Sequence, residues 1–402
     1  MKKILMLTTV YPSPDLLTTN NTNVCHYFAK EWVKMGHEVV VIYNYPVYLK
    51  ILHFVSKFLS AYIASKFSAL VTSTYLREDK IYELDGVKVV RIPLFKPLPR
   101  FSVLSRTLNS HVDKIAEYCD NMNFKPDVIT SHFFYPHVPM INTLKERFFH
   151  DAKSCVVVHK QKWGMLKYLG RDPVKELKKI DVVGFRSRPL KCEFIANTNY
   201  TPHHTFQCYS GVPAYFFENN ELCNISAPIN RFIYVGSFIQ RKFPEKILVA
   251  LKESSLRDFH VDYIGDGVNR PVIENFVKNE GWQEKVKLHG FVERGAVPSF
   301  IVRSQCFIMI SKEETLGLVY LEAMSKGCIT IASRNEGMDG IIEDGVNGFL
   351  CESGNEKELC EIINRINAMS DASLKQISEN ARRTALELTD SNVAKKYIEN
   401  LI

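Results

Sequence analysis

Short apolar runs alternate with segments of helical periodicity along the first half of the chain. The run "KKILMLTTV" is followed by apolar residues at helical spacing through Val24, Phe28 and Trp32, and then by the apolar run "HEVVVIY". Further apolar runs follow as "VKVVRIP", "PDVITSH" and "CVVVH". The alternation predicts strand, helix, strand units of a parallel sheet that is covered by helices.

The second half of the chain repeats this alternation. One helix is predicted at about 244–256, another ends near 280, and a third covers about 318–326. Apolar runs separate them: "RFIYVGS", "HVDYIGDG", "KVKLHG", "CFIMIS" and "CITIAS". We therefore predict an α/β fold of two doubly wound, Rossmann-like domains that face a central cleft, where such folds bind their ligands.

The domain boundaries are predicted from length and polarity. A chain of 402 residues exceeds the size at which one hydrophobic core usually keeps growing, which favours two domains. We place an N-terminal domain at 1–208, a polar linker at 209–230 and a C-terminal domain at 231–387. The tail 388–402 has helical periodicity, and whether it joins the first domain stays open.

The composition indicates a globular protein, with 46% hydrophobic and 24% charged residues. The net charge of +7 arises from 51 basic residues interspersed with 44 acidic ones, without a basic tail, which argues against a nucleic-acid binder. Phosphate ligands and an anionic membrane surface both fit this mild excess. The ten cysteines include no C-x-x-C pair, so we expect reduced thiols in a cytoplasmic protein. We interpret "MKKILMLTTVYP" as a first buried strand rather than a signal peptide.

The stretch 47–77 differs from the rest of the chain because it contains no acidic residue. It carries Lys50, Lys57, Lys66 and Arg77 among several aromatic residues. An apolar face with basic flanks is typical of a segment that lies in a membrane interface. A pair of helices packed on the first domain, with its cations facing water, explains the pattern equally well.

The segment "SKEETLGLVYLEAMSKG" combines an apolar run with two acids, Glu314 and Glu322, eight residues apart. On one helix they would lie about 12 Å apart on nearly the same face, where both can contact one elongated ligand. Gly317 stands near the predicted helix start, where backbone N–H groups favour a diphosphate. A ligand with a sugar, a diphosphate and a ribose in that order fits. The alternative is a core helix capped by Ser311, with Glu322 facing water.

Basic residues and histidines follow other predicted strands. Arg241 and Lys242 come after "RFIYVGS", at the edge where a doubly wound domain binds ligands, and such a pair suits charge-assisted bonds to phosphate. Solvated surface cations are the alternative. His132 and His159 end "PDVITSH" and "CVVVH", so both should face the cleft. We favour His159 as a substrate contact and leave the role of His132 open.

A nicotinamide oxidoreductase is another interpretation of a doubly wound fold. The segment "YIGDGVNR" offers two glycines after a predicted strand. Arg270 stands where the third glycine of the dinucleotide fingerprint would be, which argues against this interpretation.

Together these motifs resemble glycosyltransferase family 4, the retaining enzymes of GT-B fold. The motifs "VGSFIQRK", "GDG", "LHGFV", "SKEETLGLVYLEAMSKG", "IAS" and "IIEDGVNGFL" follow the family's order over 231–350. In the first half, "MGHEVVVI", "PDVITSH", "VVVH" and "SGVP" extend the resemblance. The chain is identified as a member of this family.

The resemblance implies roles for the candidate residues. It implies that Glu314 binds hydroxyls of the donor sugar and that Glu322 binds the ribose. Gly317 and Leu318 would give backbone N–H groups to the diphosphate of a nucleotide sugar. The other implied positions are Arg241 and Lys242 at the leaving diphosphate, His159 beside the sugar, Phe291 and Val292 bordering the base, and Thr19 and Asn20 in the acceptor or phosphate loop.

The resemblance also implies the reaction. A sugar would pass from a nucleoside diphosphate sugar to a glycan or lipid-linked acceptor, by same-face attack of the acceptor hydroxyl as the diphosphate leaves. Catalysis would then consist mostly of positioning and of electrostatic stabilisation of the leaving group. No metal and no other cofactor is implied. We expect a cytoplasmic enzyme of cell-surface polysaccharide synthesis, and leave open whether 47–77 holds it on the inner face of the plasma membrane.

Three features depart from the family pattern. Thr19 and Asn20 replace the usual glycine pair of the first loop, and Ser237 stands where an arginine is frequent. Lys160 follows His159 where a small or acidic residue is usual. The first two departures motivate an alternative function, a catalytically weak donor-binding subunit of a glycan-assembly complex.

Overall fold

A computed structural model describes residues 1–16, 23–56, 74–99, 101–159, 163–218 and 221–402. The chain divides into two compact units. Unit 1 comprises 1–185, 194–208 and 394–402, and unit 2 comprises 186–193 and 209–393.

Unit 1 is built on one sheet with helices packed on it. Its described elements are β1 (Lys3–Thr8), α1 (Val24–Lys34), β2 (Glu38–Val47), β3 (Lys80–Leu84), β4 (Val87–Phe95), α2 (Ser105–Asn121), β5 (Val128–His132), α3 (His137–Arg147), β6 (Lys153–Val158), a 3₁₀ helix (Trp163–Leu169), α4 (Pro173–Lys178), β7 (Val182–Phe185), α5 (Arg188–Thr198), which begins in unit 2, and β8 (Thr205–Gln207). The strand order over the described residues is β3-β4-β2-β1-β5-β6-β7-β8. β3 is antiparallel to β4 and the other neighbours are parallel.

The central strands of unit 1 are buried, as is usual for a parallel sheet whose faces are covered by helices. Ile4 through Leu7 in β1 have no exposed surface, and all five residues of β5 are buried. The end of the chain packs against this sheet. Trp32 Nε1 donates a hydrogen bond to the carbonyl oxygen of Ala394 at 2.9 Å, and the hydroxyls of Tyr397 and Thr130 lie 2.6 Å apart. These contacts fix the C-terminal residues in unit 1.

Unit 2 is a second parallel sheet between helices. Its described elements are α6 (Tyr215–Glu218), β9 (Arg231–Val235), a 3₁₀ helix (Gln240–Lys242), α7 (Lys246–Glu253), β10 (His260–Ile264), α8 (Arg270–Asn279), β11 (Val286–Gly290), a 3₁₀ helix (Arg294–Ala296), α9 (Val297–Val302), β12 (Cys306–Ile308), α10 (Leu318–Ser325), β13 (Ile329–Ser333), β14 (Phe349–Cys351), α11 (Glu356–Asn367), α12 (Asp371–Glu387) and α13 (Asp390–Glu399), whose last residues lie in unit 1. The described strands have the order β11-β10-β9-β12-β13-β14, with parallel neighbours throughout. The predicted α/β class with two Rossmann-like sheets is confirmed.

The segment 209–230, predicted as a polar linker, makes specific contacts within unit 2. Val212 forms a bridge with Thr389. The amide of Cys223 donates to the carbonyl oxygen of Lys326 at 2.9 Å. The chain therefore packs on unit 2 well before β9 begins.

The acid-free stretch 47–77 is described in part. Residues 57–73 lie outside the described residues, while 50–56 are helical. Leu49, Ile51 and Phe54 are exposed, with 45%, 66% and 62% of each residue's surface accessible. In the part of the chain that the structure describes, no helix is both long enough and apolar enough to cross a membrane.

Candidate active site

Two loops lie side by side at the carboxyl edge of the unit 2 sheet, at the point where the strand order reverses. β9 and β12 are neighbours there, and the chain proceeds to opposite sides of the sheet after each of them. Doubly wound folds bind ligands at such switch points. The loop after β9 carries Arg241 and Lys242, and the loop after β12 carries Glu314.

The carboxylate of Glu314 lies near both cations. Its Oε2 is 3.6 Å from Lys242 Nζ and 3.9 Å from Arg241 Nη1. The side chains of Glu314 and Lys242 are each 15% exposed. Among the described residues, no donor forms a hydrogen bond with Glu314 Oε2, although the atom is buried. A buried carboxylate oxygen without a donor is unfavourable, so this atom is suited to accept a hydrogen bond from a ligand hydroxyl.

The ammonium group of Lys242 is held in a partly desolvated position. Burial lowers the pKa of Lys242, while the charge of Glu314 acts in the opposite direction. The Nζ atom also lies 3.8 Å from the sulfur of Met309. An ammonium group in such surroundings gains strongly from a second anion, as a phosphate would provide.

Backbone contacts join the two loops. The amide of Lys312 donates to the carbonyl oxygen of Arg241 at 2.7 Å. In the other direction, Arg241 Nη1 donates to the carbonyl oxygen of Lys312 at 3.3 Å. The Nη1 group of Arg241 is thus bound to the backbone of the neighbouring loop, while the side chain remains 42% exposed.

Helix α10 begins directly after Gly317, as predicted. Gly317 adopts φ 80° and ψ 80°, and a Cβ atom there would lie 2.4 Å from Cε2 of Tyr320. The Tyr320 hydroxyl is in turn fixed by the carbonyl oxygen of Met309 at 2.7 Å. Only glycine fits this backbone. The first N–H groups of a helix have no partner within it, so the start of α10 can bind an anion close to Glu314.

The structure corrects two expectations about the segment 311–327. Ser311 does not cap the helix, because its hydroxyl lies 3.1 Å from the Tyr320 hydroxyl and the N-cap residue is Gly317. Glu314 lies in the loop before α10, so the 12 Å spacing on one helix does not describe its distance from Glu322.

Glu322 forms an ion pair that the sequence did not reveal. It is 5% exposed, so it does not face water as the alternative interpretation held. Its Oε1 accepts hydrogen bonds from Arg294 Nε at 3.0 Å and Nη2 at 2.5 Å. Arg294 comes from the 3₁₀ helix after β11, 28 residues earlier, and no local spacing links the two positions. A ligand group bound by Glu322 would therefore share this carboxylate with Arg294.

The predicted base-binding residues follow β11. Phe291 is 85% exposed and Val292 is half-buried. Gly290 before them has φ 72°, which turns the chain at the strand end. An exposed aromatic ring at the edge of a parallel sheet is available for stacking.

The two candidate histidines of unit 1, His132 and His159, contact one another. His132 Nδ1 and His159 Nε2 lie 2.9 Å apart, and the ring of Phe133 lies 4.2 Å from that of His159, centroid to centroid. His132 is fully buried. The predicted loop residues Thr19 and Asn20, and the departure at Lys160, lie outside the described residues.

A family comparison covers the site in unit 2. Residues 224–384 match the model for glycosyl transferases group 1, and this range includes both loops and helix α10. This part of the chain is similar to the glycosyl transferases group 1 family. Within the glycosyl transferases group 1 region, the motif residues Lys242, Glu314, Gly317 and Glu322 all lie on the sheet edge or on α10.

Two curated relatives are named for reactions that involve a sugar. Alpha-D-kanosaminyltransferase of Streptomyces kanamyceticus is 28% identical over 152 residues, which are 37% of this chain and 39% of the relative. N-acetyl-alpha-D-glucosaminyl L-malate synthase of Bacillus anthracis is 24% identical over 289 residues, which are 68% and 73% of the two chains. This chain therefore spans less than half the length of the first relative.

Solved structures share the fold over the whole chain. The structure of Alr3699/HepE from Anabaena in complex with UDP has a TM-score of 0.68 at 16% identity and covers 99% of both chains. This likeness concerns the fold, which is the GT-B fold of glycosyltransferases. The predicted GT-B fold is confirmed.

Proposed function

We propose that this protein is a retaining glycosyltransferase of family 4 that moves a sugar from a nucleoside diphosphate sugar to a glycan or glycolipid acceptor. The observation that carries the proposal is the Glu314 carboxylate, whose buried Oε2 accepts no hydrogen bond from the described residues and lies 3.6 Å from Lys242 Nζ. A sugar hydroxyl is the donor that this oxygen needs. The phosphate next to the sugar is the anion that the lysine needs.

The remaining donor contacts follow the order of the ligand. The backbone N–H groups at Gly317 and Leu318 bind the diphosphate, because the start of α10 favours negative charge. Glu322 binds ribose hydroxyls, and Phe291 with Val292 borders the base. The UDP in the HepE complex supports a nucleoside diphosphate as the ligand class. The role of His159 as a sugar contact stays a prediction, as do those of Thr19 and Asn20.

The reaction proceeds on one face of the sugar. An acceptor hydroxyl oxygen forms the new bond to the anomeric carbon while the bond from that carbon to the diphosphate oxygen breaks. The diphosphate leaves with the bonding electron pair and takes up the hydroxyl proton. Lys242 and Arg241 stabilise the charge that develops on the diphosphate, which is electrostatic catalysis by preorganised cations. These cations supply that role without a resident metal, so we expect EDTA to leave the rate unchanged.

The test is release of nucleoside diphosphate from UDP, GDP and ADP sugars, with oligosaccharide and lipid acceptors. Wild type should release one nucleoside diphosphate faster with an acceptor than without it. Glu314→Ala and Lys242→Ala should each lose most of this rate, while the control Lys285→Ala, which changes a lysine that donates to the Arg257 carbonyl oxygen, should keep it. Unchanged rates in both site variants would reject the site. Donor binding without transfer would favour the donor-binding subunit instead.

We also propose that the enzyme works in the cytoplasm on the inner face of the plasma membrane, in cell-surface polysaccharide synthesis. The exposed Leu49, Ile51 and Phe54 next to Lys50 support contact with an anionic membrane surface. Flotation with anionic liposomes tests this contact. Wild type should float at low salt, and the double variant Ile51→Ser/Phe54→Ser should float less. A wild-type protein that stays at the bottom at low salt would contradict the proposal.

A further inference from the structure

The loop that carries Glu314 is held by an acidic residue from a different part of unit 2. Glu336 follows β13, and its two carboxylate oxygens accept separate backbone hydrogen bonds. Oε1 accepts from the amide of Glu313 at 2.9 Å, and Oε2 accepts from the amide of Glu314 at 2.8 Å. Glu313 has φ 58°, the left-handed conformation, so that two successive N–H groups converge on one anion.

The next residue completes the contact from the other side. The amide of Gly337 donates to the carbonyl oxygen of Glu314 at 2.9 Å. A Cβ atom at Gly337 would lie 2.4 Å from Cα of Leu316 and 2.6 Å from the carbonyl carbon of Thr315, so only glycine allows this approach. Both backbone polar groups of Glu314 are thus bound by the pair 336–337.

The pair 336–337 is itself ordered. The amide of Asn335 donates to Asp339 Oδ2 at 2.7 Å, and the amide of Asp339 donates to the Glu336 carbonyl oxygen at 2.9 Å. The opposite side of the Glu314 loop is tied to Arg241 through Lys312, as described above. The backbone of the loop is therefore fixed from both sides, and the Glu314 side chain emerges from a fixed point.

We propose that Glu336 is a positioning residue of the donor site, which fixes the Glu314 backbone so that the Glu314 carboxylate meets the hydroxyls of the donor sugar. The inference rests on the proposed function, because it assigns Glu336 to the sugar end of the same ligand. The inference predicts which part of the ligand depends on Glu336. Glu336 acts on the sugar through Glu314, whereas the diphosphate is bound by Lys242 and the start of α10.

The test compares the affinity for a nucleotide sugar with the affinity for the same nucleotide without its sugar. Calorimetric titrations use UDP-glucose, GDP-mannose and ADP-glucose, with UDP, GDP and ADP as the counterparts. Glu336→Gln replaces one accepting oxygen by an NH₂ group, which cannot accept an amide hydrogen. We expect Kd for the bound nucleotide sugar to rise about tenfold, the factor that 1.4 kcal/mol represents, with Kd for the nucleoside diphosphate nearly unchanged.

A matched control and a second variant separate positioning from general damage. The Glu358 carboxylate also accepts a backbone amide, that of Glu352 at 2.6 Å, and pairs with Arg334 away from Glu314. Glu358→Gln should leave both affinities unchanged. Glu336→Asp keeps two oxygens on a shorter side chain and should show a smaller loss than Glu336→Gln. If Glu336→Gln does not fold, Glu336→Asp carries the comparison.

Hydrogen exchange gives a readout that needs no ligand. In Glu336→Gln the amides of Glu313 and Glu314 should exchange faster than in wild type. If Glu336→Gln weakens binding of the nucleotide sugar and of the nucleoside diphosphate equally, the inference is overturned, because binding of the whole ligand would then depend on the loop. The proposed function would remain intact. Unchanged affinities, or unchanged exchange, would also overturn it. A wild-type protein that binds none of the six probes would instead defeat the proposed function and this inference with it.

Discussion

Replacement of Lys242 by methionine removes one charge from the pair with Glu314 and keeps most of the side-chain volume. Two unit charges 3.6 Å apart attract by about 5 kcal/mol at an effective dielectric constant of about 20. Desolvation of two side chains that are each 15% exposed offsets much of this attraction. Removal of one partner from a fully buried ion pair lowers the free energy of unfolding by about 3–5 kcal/mol. Because this pair is partly exposed, we expect Lys242→Met to lower it by about 2 kcal/mol.

The same variant should lose transfer activity. A charge-assisted bond to phosphate contributes about 1.5–3 kcal/mol, so kcat/KM of Lys242→Met should fall by about 10- to 140-fold. Lys242→Met leaves the Glu314 carboxylate without its cationic partner, and adding Glu314→Gln removes that charge. The double variant Lys242→Met/Glu314→Gln should therefore regain about 1–2 kcal/mol of unfolding free energy without regaining kcat/KM.

Urea unfolding and initial rates on the four forms of this cycle provide the measurement. Lys252→Met is the control, because Lys252 pairs with Glu280 at 2.5 Å on the surface, with 52% of its side chain exposed. An exposed pair contributes about 0–1 kcal/mol, so this variant should be nearly as stable as wild type and fully active. Additive unfolding free energies in the cycle, or kcat/KM of Lys242→Met within twofold of wild type, would refute the reasoning.

Other variants test neighbouring contacts. Arg294→Met leaves the buried Glu322 carboxylate without its partner and should lower the unfolding free energy by about 2 kcal/mol. Adding Glu322→Gln to Arg294→Met should recover part of this loss in urea unfolding. If the effects of the two substitutions on the unfolding free energy simply add, the ion pair is contradicted. Gly317→Ala forces a Cβ atom onto the ring of Tyr320 and should lower the unfolding free energy by about 1–3 kcal/mol together with the transfer rate, whereas an unchanged protein would contradict the geometry. Because burial lowers the pKa of Lys242, the protonated form is lost as pH rises through a value below the ordinary 10.5, so kcat/KM should show an alkaline limb there. Lys242→Arg should move that limb to higher pH, and an unmoved limb would contradict the assignment.

Much of the fold could be predicted because its central strands are buried on both faces. Four or more consecutive apolar residues stand in β1 and β9, and β12 is apolar throughout, which is the pattern of a parallel sheet under helices. The edge strand β3 escaped prediction, since its alternation of half-buried and exposed residues gives a weak signal in five residues. β14 has three residues, too few for a periodic pattern.

The candidate site could be predicted where its residues directly follow an apolar strand or share one short segment. Glu314 and Gly317 lie in one segment, and the helix start fixes their geometry locally. Arg294 and Glu336 were missed because each reaches the site from another loop, 28 residues before Glu322 and 22 residues after Glu314. Such contacts depend on tertiary packing, which brings loop ends together at one sheet edge. The sequence shows both residues only as ordinary loop charges.

The most direct measurement of the central claim is a crystal structure of the protein with UDP-glucose, or with GDP-mannose or ADP-glucose if calorimetry shows that one of these binds instead. The account predicts the β-phosphate within hydrogen-bond distance of the Leu318 amide and Lys242 Nζ, with a sugar hydroxyl donating to Glu314 Oε2. A nucleotide sugar bound in the crystal with its phosphates away from the start of α10, and with Glu314 Oε2 still without a donor, would contradict the account.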